Sequence, residues 1–300
     1  MGKCCLCPRN CLVDRPLTKT AKGTLGFCQM AQQPVVARAG LHFWEEPCLS
    51  GVRGSGTIFF TGCNLRCVYC QNYELSYEHK GREISLEQLQ SLYTKLVSQG
   101  AHNINLVTPT HFVETIAASL ATPLPVPVVY NTGGYESLES LTLLKGKVQI
   151  YLPDLKYASS AAGSRYSKAP DYFQVATKAI SAMYEQVGPY QLDQDGMLQK
   201  GVLVRHLILP GQVENSKKII DWIEENFSSG QILFSLMHQY IPCGQAAKYP
   251  EINRKLTQEE YQEVEEYLFA SGIEDGFVQE EGAADSEFIP DFDGTGLEDL

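Results

Sequence analysis

Three cysteines at short spacing carry the first chemical signal, in the stretch Thr61-Gly62-Cys63-Asn64-Leu65-Arg66-Cys67-Val68-Tyr69-Cys70-Gln71-Asn72. The pattern is Cys-x3-Cys-x2-Cys, directly after the apolar run Thr57-Ile58-Phe59-Phe60. Three thiolates ligate three corners of a 4Fe–4S cubane and leave the fourth iron open. An open iron can chelate the amino and carboxylate groups of S-adenosylmethionine (SAM). One electron then cleaves a sulfonium C–S bond and gives a 5′-deoxyadenosyl radical. A site closed by four protein ligands cannot do this. The competing assignment, a zinc knuckle or a closed ferredoxin-like site, needs a fourth Cys or His nearby, and the 25 residues after Cys70 offer only His79. Tyr69 is placed to pack over an adenine, and Gly62 allows close backbone approach to a cluster.

A second thiol set precedes it: Cys4-x2-Cys7-x3-Cys11, then Cys28 after Gly23-Thr24-Leu25-Gly26-Phe27. Four thiolates suit zinc or a second iron–sulfur cluster equally, with Cys5 as a spare. A closed site would fold this segment, whereas an auxiliary cluster would relay an electron or bind substrate. Cys48 and Cys243 read as buried thiols. Nine of the ten cysteines lie in the first 70 residues, and no export signal accompanies them. That combination points to the reducing cytoplasm and to metal sites rather than disulfides.

The elements that must position these thiols read as an α/β alternation. Apolar runs at 57–60, 103–107, 126–131, 148–154, 202–209 and 232–238 have the Val, Ile, Leu and aromatic content of strands buried on both faces. Helical spacing falls between them. Ser85 with Gln88 and Thr257 with Glu260 form capping boxes, 171–187 is periodic, and Asn215 is placed to cap a helix through 226. Six β-α units predict parallel strands with right-handed crossovers, closing into a partial (β/α)6 barrel. Its chemistry belongs at the C-terminal strand ends. The expected organisation is a Cys-rich appendage at 1–50, the core at 51–275 and an acidic tail at 276–300.

Charge and hydropathy narrow the function classes. The net charge is −11, yet no Lys or Arg follows Lys255 while 15 acidic residues do, which leaves the first 255 residues at +4. The acidic end reads as a solvated helix and a partly disordered tail, or as a docking surface for a basic partner. No broad basic face suggests nucleic acid. No apolar run of membrane-spanning length occurs, and Leu6 stands where a myristoylation signal needs Ser or Thr.

The cysteine loop resembles the signature of the radical SAM superfamily. Leu41-His42-Phe43-Trp44-Glu45-Glu46-Pro47-Cys48 and Gly54-Ser55-Gly56-Thr57-Ile58-Phe59-Phe60 resemble a branch similar to pyruvate formate-lyase activating enzymes. The resemblance implies a radical SAM barrel and roles for polar groups at the strand ends. Thr108-Pro109-Thr110-His111 stands where those enzymes carry a Gly-Gly-Glu-like turn, so Thr108 and Thr110 would accept hydrogen bonds from the SAM ammonium. Alternatively, Thr110 simply caps a helix. Asn131-Thr132-Gly133-Gly134 resembles an Asp-Thr-Asn-Gly turn, with Asn131 in the Asp position. Asp154-Leu155-Lys156 matches an Asp-x-Lys motif, with both charges on one side of the strand. These two are the candidate catalytic residues, with Lys156 contacting a carboxylate. Arg205 would face inward to the SAM carboxylate or ribose, leaving His206 to packing. His238 would reach a ribose or substrate.

The activity implied is hydrogen abstraction by a 5′-deoxyadenosyl radical. Its target would be the glycine of a glycyl-radical enzyme, another protein, or a small molecule, with a flavodoxin or ferredoxin type reductant. The contrasting class is a non-catalytic iron–sulfur or zinc protein for interaction or electron transfer.

Overall fold

A computed structural model describes residues 3–279, 290–298 and 300. The chain enters the sheet at β1 (Val35–His42), turns through α1 (Pro47–Ser50) and returns antiparallel as β2 (Ser55–Phe60). A short β3 (Arg82–Glu83) pairs with the start of β1. Alternation follows: α2 (Leu86–Ser98), β4 (Ile104–Val107), α3 (Val113–Ser119), β5 (Val128–Thr132), α4 (Leu138–Leu144) and β6 (Ile150–Pro153). Then come α5 (Ser160–Ser167), α6 (Tyr172–Val187), β7 (Gln191–Leu192), β8 (Leu198–Leu207), α7 (Val213–Asn226), β9 (Leu233–Met237), α8 (Gln258–Ala270) and β10 (Gly276–Val278). The sheet order is β10-β9-β8-β6-β5-β4-β2-β1-β3, with β7 paired to β8 off that path. Neighbours from β2 to β10 are parallel. This is the open, partly parallel α/β sheet of a partial barrel.

All six expected strands are present. Every residue of β2, β4, β5, β6 and β9 is buried, which is why these segments read as near-continuous apolar runs. Both capping boxes form, at Ser85–Gln88 and Thr257–Glu260. Helix α2 buries Leu89, Leu92, Tyr93 and Leu96, each worth about 1.5–3 kcal/mol when fully removed from water.

Three features differ from the expectations. The sheet takes in β1, inside the segment read as an appendage. Arg38, Gly40 and His42 dilute its apolar pattern, and it is antiparallel, so the β-α rhythm does not reveal it. A seventh parallel strand, β10, opens the segment read as tail; its three residues are too few for a periodic signal. Asn215 lies inside α7 rather than capping it, because its side chain serves the loop after β6. Its Oδ1 accepts from the amides of Ala158 (2.8 Å) and Ser159 (3.2 Å), and its Nδ2 donates to Lys156 O (3.1 Å).

Part of the tail, 280–289 and 299, lies outside the described residues. The described part packs on the sheet. Ala39 N donates to Thr295 O (3.0 Å), Gly294 N to Ala37 O (3.1 Å), and Phe292 meets Phe59 edge to face. Gly296 has φ +84°, and a Cβ there would stand 1.8 Å from Ala39 O, so this approach requires glycine.

Candidate functional site

The cysteine loop leaves β2 through Gly62, at φ +86°, where a Cβ would stand 2.3 Å from Met30 Cγ. Cys63, Cys67 and Cys70 then line a cleft of about 230 Å³ at the C-terminal ends of the parallel strands. Donors already face two sulfurs. The amides of Leu65 and Arg66 lie 3.3 and 3.5 Å from Cys63 Sγ, and Ser167 Oγ donates to Cys67 Sγ at 3.0 Å. Burial pushes the Cys63 thiol up to about 11 and the Cys70 thiol to about 12. The bare thiols therefore keep their protons until a metal displaces them.

Fixed charges line the same cleft. Lys156 Nζ lies 2.5 Å from Asp154 Oδ2. Arg205 spreads its fork over three partners: Nε to Asp154 Oδ1 (3.3 Å), Nη1 to Glu45 Oε2 (2.9 Å) and Nη2 to Asn131 Oδ1 (2.7 Å). Burial disfavours ionisation of Asp154, but Lys156 and Arg205 outweigh it and its pKa falls. Burial likewise works against the Lys156 ammonium, and Asp154 reverses the balance upward. Such a network is stable only while complete. Glu45 also accepts from Asn105 Nδ2 at 2.8 Å. Beside it, burial raises the Glu46 pKa, with Arg205 opposing and the Glu45 carboxylate adding to the rise.

Thr108, at φ +59°, ends β4 and lines the cleft, its amide tied to Asn131 O at 2.8 Å. A β-branched residue in that conformation carries strain of about 1–3 kcal/mol, which the surrounding bonds must hold. Thr110 turns away from the cleft. Its hydroxyl and that of Thr132 donate to the buried Glu136 carboxylate, and Tyr130 adds a third donor at 3.4 Å. Burial lifts the Glu136 pKa to about 7 against those bonds. His206 is a satisfied packing residue, bonded to Leu155 O (2.7 Å) and Ser216 Oγ (2.8 Å).

Arg205, Asp154, Lys156, Asn131, Thr108 and the three cysteines thus share one cleft. His238 does not join them. Met237 and Gln239 line the cleft, so the residue between them points away, and the His238 ring lies on Tyr261 at 4.2 Å. Tyr69 borders the cleft, but its hydroxyl is tied to Tyr157 (2.7 Å) and its ring meets Tyr157, Tyr166 and Tyr240 edge-on. Glu45 and Glu136 had no assigned role in the sequence reading. The Glu45-Glu46 pair following an apolar run was the available signal for the first; none marks the second.

Cys4, Cys7, Cys11 and Cys28 line a separate small cavity, about 10 Å³, while Cys5 is exposed. A backbone pairing of Cys4 with Leu12 and Val13 folds the segment back on itself, and Phe27 N donates to Cys11 Sγ at 3.2 Å. Arg9 braces it against the cysteine loop, donating to Asn64 O and Ser167 O (both 2.7 Å). Among the described residues no three Cys, His, Asp or Glu side chains stand in metal-holding geometry. The observation is placement of sulfurs around two cavities. No helix among those residues is long and apolar enough to cross a membrane.

Residues 57–177 match the model of the radical SAM superfamily. An uncharacterized protein of Methanocaldococcus jannaschii is 31% identical over 275 residues, covering 88% of this chain and 73% of its own length. The chain belongs to the radical SAM superfamily. Solved structures similar to this radical SAM protein include methylornithine synthase (14% identity, TM-score 0.49, 74% of this chain and 72% of that one). Another is Streptococcus suis SuiB bound to S-adenosylmethionine (10%, TM-score 0.47, 73% and 48%). This chain spans about half the length of SuiB.

Membership implies a 4Fe–4S cluster and SAM. The cleft of this radical SAM protein fits them: three thiols, two of them with donors aimed at their sulfurs, and charged groups of both signs in the same cavity.

Proposed function

We propose that Cys63, Cys67 and Cys70 hold the 4Fe–4S cluster and that Lys156, Asp154, Arg205, Asn131 and Thr108 form the SAM-facing wall. The observation that carries this reading is the sharing of one cleft by three cysteines and the Arg205-centred ion network. When bound, the cluster supplies the electron that cleaves SAM to a 5′-deoxyadenosyl radical. Lys156 offers an ammonium to a carboxylate, held in place by Asp154. Arg205 keeps Asp154 and Asn131 in position, and Glu45 anchors Arg205 from behind. Tyr69 borders the cleft and packs against an adenine there.

The resemblance to activating enzymes supports the finer reading, in which hydrogen is abstracted from the glycine of a glycyl-radical enzyme with a flavodoxin or ferredoxin as reductant. Another protein or a small molecule is the alternative substrate. SuiB has been solved with a precursor peptide, a substrate class compatible with a cleft open at the strand ends. The same reading places a second metal, zinc or iron–sulfur, at Cys4, Cys7, Cys11 and Cys28, and the protein in the cytoplasm. Residues 1–50, 51–275 and 276–300 serve mainly as metal-bearing segment, core and acidic extension, with β1 and β10 lent to the core sheet by the two flanking segments. An electron-transfer role would leave the ion network in the cleft without a purpose.

The test is anaerobic reduction of the reconstituted protein with SAM. Release of 5′-deoxyadenosine is expected, abolished by Cys67→Ala. Its absence with a fully loaded cluster would overturn the reading. Electron paramagnetic resonance after incubation with a candidate glycyl-radical enzyme then decides the finer one: a glycine-centred doublet supports it, and no doublet despite SAM cleavage removes it.

A further inference from the structure

His111 lines the same small cavity as Cys4, Cys7, Cys11 and Cys28. It follows β4, far from these cysteines in sequence, and it is 2% exposed. Its Nε2 lies 2.7 Å from Thr61 O, and its Nδ1 is buried without a hydrogen-bond partner. A carbonyl can only accept, so Nε2 carries the hydrogen and Nδ1 presents a bare lone pair. A buried acceptor left unmet costs about 1–3 kcal/mol. That tautomer is the one a metal-ligating histidine takes when its other nitrogen is oriented by a backbone carbonyl.

The cavity supplies the second constraint. At about 10 Å³ it has room for one water-sized occupant, against about 230 Å³ in the cleft beside the cysteine loop, a size that favours a single ion. Arg15 closes one side, 5% exposed, donating to Met30 O (3.0 Å) and His111 O (2.8 Å), with Nη1 3.9 Å from Cys4 Sγ.

We infer that this cavity binds one zinc ion, with His111 Nδ1 as a ligand beside three of the four cysteines. The inference rests on the second-metal reading above and decides its metal. The site is closed, as structural zinc sites are. Through Thr61 O it ties the N-terminal segment to the root of the cysteine loop, so zinc helps to position that loop.

The test uses the full chain carrying Cys63→Ala, Cys67→Ala and Cys70→Ala, which removes the other thiol site, supplied with zinc and iron. X-ray absorption at the zinc edge should show about one zinc per chain, with three sulfurs near ~2.3 Å and one nitrogen near ~2.0 Å. Four sulfurs without nitrogen, iron in place of zinc, or no bound metal would each overturn the inference. In the otherwise native chain His111→Gln keeps a donor for Thr61 O and removes Nδ1. Zinc affinity should fall by more than the ~10–100-fold that losing even an outer partner produces; an unchanged affinity also overturns it. Release of 5′-deoxyadenosine by the unmodified protein reports the radical chemistry separately, so failure of either reading is recognised by itself.

Discussion

The two cysteine regions differ in what surrounds the sulfur. Cys63, Cys67 and Cys70 border a cleft of about 230 Å³ that also holds Lys156, Asp154 and Arg205. Cys4, Cys7, Cys11 and Cys28 surround about 10 Å³ closed by Arg15, Phe27 and His111. Three donors beside open space leave a coordination position for a reactant, whereas a full donor set around one ion leaves none. On the proposed reading the same residue type serves chemistry in one place and architecture in the other, and free volume marks the difference.

The sharpest way to break this contrast is to remove sulfur from each region. Cys67→Ala should lower 5′-deoxyadenosine formation by at least about 10³-fold, or about 4 kcal/mol in barrier, and leave bound zinc unchanged. Cys7→Ala together with Cys11→Ala, which removes at least one ligand whichever three cysteines bind, should release zinc and lower the thermal midpoint. Metal content and product release, measured on both variants, should therefore separate. Loss of both metals in either variant would merge the two regions into one cooperative site.

Arg205→Ala tests whether the cleft depends on its ions as the small cavity is proposed to depend on a metal. The substitution leaves Glu45 and Asp154 with less compensation in a largely buried setting. A loss of about 3–5 kcal/mol is expected, read by denaturant midpoint, together with weakened SAM binding. A loss under about 1 kcal/mol would class the network with exposed ion pairs.

Glu136 lies between the regions. The neighbouring Tyr135 O takes the Asn64 amide at 2.6 Å, and Ser140 Oγ holds Leu6 O at 2.6 Å. Its carboxyl pKa rises from 4.5 to about 7 through burial. Below pH 4.5 both folded and unfolded chains hold this proton, and it contributes no penalty. Between 4.5 and 7 the unfolded chain ionises first, so stability falls, by about 3 kcal/mol once pH exceeds 7. Glu136→Gln should therefore stabilise the protein by about that amount at pH 8 and leave it nearly unchanged at pH 4.5. Parallel denaturation curves at the two pH values check the sign; equal effects would refute it.

Local pattern made the cysteine loop, the six buried strands and both capping boxes legible, because each is a short-range rule. Asp154 and Lys156 followed from strand alternation, and Arg205 from its likeness to activating enzymes. Glu45 was missed because its role is set by Arg205, 160 positions away. His111 and Glu136 were missed for the same reason: burial and partners come from packing, and no local spacing encodes them. His238 was misplaced by one position, and period two turns such a slip into the wrong face. Strands β1 and β10 escaped because one is antiparallel and polar-flecked and the other is three residues long.

Arg9 gives one direct link between the two regions. Its guanidinium stacks 3.9 Å from the Phe27 ring and bonds Asn64 O and Ser167 O. Asn64 lies within the cysteine loop, and Ser167 is the donor to Cys67 Sγ. Arg9→Ala should cost about 1–2 kcal/mol, near the lower end for a charged hydrogen-bond donor because the site is only partly buried. The informative measurement is the same substitution in a zinc-free background carrying both Cys7→Ser and Cys11→Ser. If the metal holds Arg9 in place, its contribution should shrink there, giving a coupling of about 1 kcal/mol. Additivity within ~0.3–0.5 kcal/mol would mean that the closed site does not act on the open one through Arg9.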